Sequence, residues 1–149
     1  MNDFILNDQY FMREALKEAD IAFNSGEIPI GAVVVCMNRI IARSHNLTEL
    51  LNDVTAHAEM QAITAAANHL GSKYLVDCTL YVTVEPCVMC AGAIFWSQLD
   101  KLVYGARDEK RGCSKTGVLL YHPKTKVIEG VLAEECAQRM KSFFLKKRG

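Results

Sequence analysis

The chain has 149 residues, half of them apolar, enough to bury one hydrophobic core and too many apolar positions for disorder. Seventeen basic and seventeen acidic residues cancel, so bulk charge does not by itself call for a polyanionic partner. No apolar run approaches the ~20 residues of a membrane span, and the opening MNDFILNDQYFMREALKEAD has no basic segment followed by an unbroken apolar one. A single domain over residues 1–149 is expected, in the cytoplasm and away from membranes, with the six cysteines reduced rather than paired as disulfides.

Phe11, Ala15, Leu16, Ala19, Ala22 and Phe23 recur at helical spacing between Asn7 and Ser25, with Asn7 or Asp8 as cap and Gly26 as stop. IPIGAVVVCM is a continuous apolar run that reads as a buried strand, and NRIIARSH follows it as a hairpin partner. Leu47 to Val54 has no period and is expected to be a loop. Thr55 to Gly71, rich in alanine and closed by glycine, predicts a helix. TLYVTVE predicts a strand, CVMCAGAIFWSQL a helix of small residues, and KLVYGA another strand. Turn signals crowd residues 107–126, KVIEGVL suits a short last strand, and AEECAQRMKSFFLKK predicts a closing amphipathic helix. Strands alternating with helices, with one hairpin among them, imply a layered α/β domain on a mixed sheet.

Two segments carry chemistry. Cys87 and Cys90 stand three apart, so a helix starting there would put both thiols on one face of its first turn. Pro86 suits such a start because its missing N–H costs nothing there, and the positive end of the helix dipole favours thiolates. The remaining cysteines, Cys36, Cys78, Cys113 and Cys136, are scattered and read as small buried hydrophobes. In TAHAEM, His57 precedes Glu59 by two. Inside a helix their side chains would diverge by ~200°. At a helix N-terminus, with Thr55 as a possible cap, the backbone is not yet helical and both can face one point.

His57, Cys87 and Cys90 supply three zinc ligands and leave the fourth position open, the pattern of a catalytic rather than a structural site. Zinc brings the pKa of water toward ~7, and Glu59 is then placed to take and return a proton. His45, His69 and His122 read as ordinary partly buried histidines.

The pattern H-x-E followed by P-C-x-x-C resembles the zinc-dependent nucleoside and nucleobase deaminases, a superfamily whose chemistry is well described. The resemblance implies a three-layer α/β/α cytidine-deaminase-like fold with a mixed five-stranded sheet and one zinc ion per subunit. It also implies attack by zinc-bound hydroxide, with Glu59 as proton shuttle. Within the superfamily the chain most resembles the bacterial tRNA-specific adenosine deaminases, along EIPIGAVVV, His45-Asn46, TAHAEMQAI, LYVTVEPCVMCAGAI, VYGARDEKRG, HPKT and GVLAEEC. That likeness implies conversion of the wobble adenosine of a tRNA anticodon loop to inosine by attack at C6, in a homodimer. It further implies that the Ala58 N–H faces the base and that Asn46, which read alone is a loop amide, binds the target nucleotide. Val54 replaces a proline that the family often has before the Thr of TAHAE, and GCSKTGVLLYHP departs from some relatives.

Arg107, Asp108, Lys110, Phe144 and Lys147 are candidate RNA contacts, aromatic and charged residues that could stack on bases or meet phosphates. No acid follows Glu135, so the cationic tail fits either RNA phosphates or simply the negative end of its own helix. The chief alternative is a free-base deaminase acting on guanine or cytosine, which shares the zinc segments and to which the Phe95-Trp96 pair also bears a likeness. A noncatalytic zinc or redox module is the remaining one, and it leaves His57 and Glu59 without a reason to be paired.

Overall fold

The computed structural model describes residues 6–148. The first five residues, part of the segment that bears on a leader, and Gly149 lie outside them. Helix α1 spans Asp8–Asn24, and Asn7 caps it by accepting the Tyr10 N–H at 2.9 Å. Gly26, at φ +78°, turns the chain out of it. Strand β1 (Gly31–Cys36) and strand β2 (Arg39–His45) form the expected antiparallel hairpin. Its two turn residues, Met37 and Asn38, both have positive φ, which matches the twist of the strands they join.

Helix α2 (Ala58–Leu70), strand β3 (Cys78–Val84), helix α3 (Val88–Ser97) and strand β4 (Lys101–Ala106) follow. A short strand β5 (Lys126–Ile128) and helix α4 (Ala133–Arg148) complete the chain. The sheet runs β2-β1-β3-β4-β5, antiparallel through β1 and β3 and parallel from β3 to β5. Ala32, Val34, Leu80, Val82 and Leu102 face α2 and α3, while Val33, Val35, Tyr81 and Val103 face α1 and α4. Each valine and leucine so buried contributes roughly 1.5–3 kcal/mol of hydrophobic stabilisation. This is the three-layer α/β/α fold with a mixed five-stranded sheet that the resemblance implies.

The packing of α1 on β1 depends on Gly31. A Cβ there would run into the backbone of Ala15 and Ala19, so the helix lies directly on the strand. Because β1 is antiparallel to β3 and β4 is parallel to it, the start of β1 and the ends of β2, β3 and β4 meet at one edge of the sheet. Ligand sites of open α/β sheets form at such an edge.

Two helix starts differ from expectation. Thr55 is not the cap of α2: its N–H and hydroxyl both bond Asp53 Oδ1, at 2.8 and 2.7 Å, and the helix begins three residues later, with His57 in the cap position. Pro86 is not the first residue of α3. The chain leaving β3 stays extended through Cys87, which is the cap, so the proline stands before it. The last strand is also shorter than KVIEGVL suggests, since Gly130 at φ +87° ends the extended run.

Candidate active site

Both capping residues have extended backbones, His57 at φ −73°, ψ 155° and Cys87 at φ −75°, ψ 176°. Neither side chain bonds its own helix. Each is therefore free to point away from the helix axis, and they point at each other. His57 Nδ1 lies 3.6 Å from Cys87 Sγ and 3.5 Å from Cys90 Sγ. All three donor atoms lie within 4.8 Å of one another, the one such group among the described residues. A tetrahedral zinc site with bonds of about 2.3 Å to sulfur and 2.0 Å to nitrogen has edges of about 3.5–3.8 Å. The observed spacing and the soft, two-sulfur donor set fit that ion.

The three groups are also close enough to share protons. The Cys90 thiol donates to Cys87, which brings Cys87 down to about 4, assisted by His57. The same contact and burial drive Cys90 upward. Hydrogen bonding to Cys87 raises the His57 imidazole above its ordinary value. Glu59 is 3% exposed, and burial pushes its carboxyl up to about 7, with the Cys87 thiolate adding to the effect. The remaining cysteines are free; Cys78, Cys113 and Cys136 are buried and Cys36 is half-buried.

The group opens into a cavity of about 920 Å³. His57, Ala58, Glu59 and Cys87 form one part of its wall, and Asn46 another. Cys90 lies behind Cys87, fully buried. Ser44 Oγ donates to the Ala58 carbonyl at 2.7 Å, anchoring the first residue of α2, whose own N–H has no partner within the helix. Of the candidate RNA contacts, Asp108, Lys110 and Phe144 line the same cavity. Arg107 is not brought to it: the side chain is exposed and pairs with Glu129 at 3.2 Å. Lys147 is not brought to it either; its ammonium sits 5.6 Å over the Phe143 ring, beside a smaller groove.

The model of the MafB19-like deaminases matches residues 6–148. The chain belongs to that family. A tRNA-specific adenosine deaminase of Bacillus subtilis (strain 168) is 47% identical over 146 residues, which cover 95% of this chain and 91% of the relative. A structure from studies of A-to-I editing by tRNA:A34 deaminases at the wobble position superimposes with a TM-score of 0.81 at 43% identity. That match covers 87% of this chain and 98% of the other. A guanine deaminase structure from Bacillus subtilis gives a TM-score of 0.67 at 38% identity, over 76% of this chain and 71% of that one. The resemblance read from TAHAEM and EPCVMCAGAI is borne out.

The deaminase scaffold holds its cavity rim with two buried carboxylates that sequence reading does not single out. Glu27, 1% exposed, accepts from the Asn46 side chain and from the backbone N–H groups of Glu49 and Leu50. Glu85 accepts from the N–H groups of Asp108 and Ser114, at 3.1 and 3.0 Å. Gly112 packs so closely on Glu85 that a Cβ would displace its carboxylate. The available signal was a single acid beside each apolar strand, in GEIPIGA and TVEPC, where an unpaired charge would be costly.

Proposed function

We propose that this chain deaminates adenosine to inosine at the wobble position of a tRNA anticodon loop, with zinc held by His57, Cys87 and Cys90. The observation that carries the reading is the convergence of that donor set with a buried Glu59 on one cavity wall. It is supported by relatives named for tRNA adenosine deamination along nearly the whole chain. The zinc ion supplies Lewis acidity, which makes water a nucleophile at neutral pH.

The protein residues carry the proton traffic. Glu59 accepts a proton from the attacking water and delivers it to the ring nitrogen beside C6, then helps the amino group leave as ammonia. Water is consumed, and the C–N bond to the leaving group is replaced by a C–O bond. The N–H of Ala58, a residue anchored by the Ser44 bond to its carbonyl, faces the base, and Asn46 bonds the target nucleotide. Asp108, Lys110 and Phe144 meet the flanking RNA at the rim. Arg107 and Lys147 reach RNA only by leaving Glu129 and Phe143. One domain over residues 1–149 carries the whole reaction, in the cytoplasm where tRNA is processed.

A homodimer completes the reading. Trp96 and Val88 on α3, and Val118 and Leu119 beyond it, are exposed apolar side chains that a second copy would cover.

The likeness to a guanine deaminase favours free-base deamination as the second reading. The aromatic pair that suggested it does not line the cavity, and Trp96 is 75% exposed. Incubation with unmodified tRNA and, separately, with guanine, cytosine and adenosine, followed by mass spectrometry, decides between them. Inosine is expected in tRNA alone. Conversion of a free base with tRNA untouched would overturn the proposal.

A further inference from the structure

We infer that Glu27 is a positioning residue of the reaction, tying Asn46 and the 46–50 turn to the body of the protein. The inference rests on the reading above that Asn46 binds the target nucleotide. Glu27 leaves α1 with its own N–H bonded to the Ala22 carbonyl at 2.9 Å, so its backbone is anchored to a packed helix. Its carboxylate is 1% exposed and enclosed by the turn it holds. Oε1 accepts from Asn46 Nδ2 at 3.3 Å and from the Glu49 N–H at 3.1 Å, and Oε2 accepts from the Leu50 N–H at 2.8 Å.

Three donors converge on one acceptor group, and the Glu49 and Leu50 N–H groups have no other protein acceptor among the hydrogen bonds of the described residues. A carboxylate only accepts, so it can hold the Asn46 amide by the nitrogen end alone. That removes the two-fold ambiguity of an amide group. Thr48 Oγ1, 3.3 Å from the same nitrogen, fixes the plane further. Asn46 itself is 5% exposed and reaches the cavity only through this geometry. The turn has no regular secondary structure to define it, since residues 46–57 run between β2 and α2 as turns. Glu27 supplies the internal reference that a strand or helix would otherwise give.

Glutamine cannot replace it. With one oxygen and one amino group, it must turn a donor toward either the Leu50 N–H or the Asn46 and Glu49 donors. Misplacing a substrate-holding group by about 1 Å costs on the order of a hundredfold in rate.

The test compares Glu27→Gln, Asn46→Ala and the double variant as zinc-loaded full-length proteins on tRNA. The readouts are kcat and KM normalised to zinc content, and hydrogen exchange at Glu49 and Leu50. Glu27→Gln is expected to lower kcat about ten- to a hundredfold with KM nearly unchanged, and to speed exchange at both amides. The double variant is expected to be no slower than the slower single one, because both lesions remove the same placement. Losses that multiply in the double variant, or full kcat in Glu27→Gln, would overturn the inference and leave the reading of Asn46 intact. Full activity in Asn46→Ala would overturn both. If Glu27→Gln does not fold, Glu27→Asp keeps an accept-only group one methylene shorter. A lowered kcat with faster exchange at the two amides then supports the inference, and an unchanged kcat overturns it.

Discussion

Glu59 is buried beside His57, Cys87 and Cys90 without joining their cluster, and burial raises its carboxyl to about 7. A group in that state suits proton transfer near neutrality. Glu59→Gln keeps the shape and removes the titration. The variant is expected to hold one zinc per chain by elemental analysis while editing falls by roughly 10²–10⁴-fold, the usual contribution of a placed acid–base group. Zinc lost together with activity would make Glu59 part of the metal site instead. The pairing of His57 with Glu59 was legible because the two-residue offset makes sense only at a helix start. The roles of Glu27 and Glu85 were not. Their donors lie 22, 23 and 29 positions away in the chain, and no local pattern registers so distant a bond.

Among the elements, α1 has the most exacting contact. Its backbone lies where a side chain at Gly31 would be, so Gly31→Ala must push the helix off β1. Forced overpacking costs typically 1–3 kcal/mol, and this clash is with backbone rather than with a movable side chain. Chemical denaturation is expected to show a loss at or above that range; an unchanged midpoint would mean that the helix yields freely. The order and type of the four α-helices and five strands could be read from apolar spacing, residue composition and turn residues, whereas the short 3-10 helix Cys113–Thr116 shows in the sequence only as part of a turn-rich stretch. The starts of α2 and α3 could not. They are set by where Asp53 captures Thr55 and by how far β3 keeps the chain extended, and both depend on the assembled fold.

At the scale of the whole molecule, ion pairs link layers. Asp8 joins α1 to the sheet through the Tyr81 hydroxyl at 2.6 Å and Lys101 at 3.0 Å, and Glu14 reaches Arg43 on β2 at 2.7 Å. Burial alone would raise both carboxyls. The bonds from Tyr81 and Lys101, and from Lys17 and Arg43, outweigh it and hold them below 3.8 and 4.5, their ordinary values. A carboxyl depressed in the folded state contributes stability that is present above its unfolded value and lost as pH falls through its folded one. The melting temperature is therefore expected to drop below about pH 4.5, and Glu14→Gln to flatten that drop. An identical slope in the variant would assign the acid response to other groups. Assembly is testable at the same scale. Trp96→Glu places a charge on the exposed face of α3, and sedimentation is expected to convert a dimer to monomers without loss of helicity. A wild-type chain already monomeric at micromolar concentration would remove the dimer from the reading.

His57 and Cys87 occupy the positions that normally stitch a helix to the chain before it, a side-chain bond worth about 1 kcal/mol to each helix. Both give up that bond and turn to a common point between α2 and α3. An ion there would act as a shared buckle, fastening the first turns of two helices at once. Binding of a metal at that point would then also stabilise the first turns of both helices, because the free energy of holding the ion would be shared with the local fold.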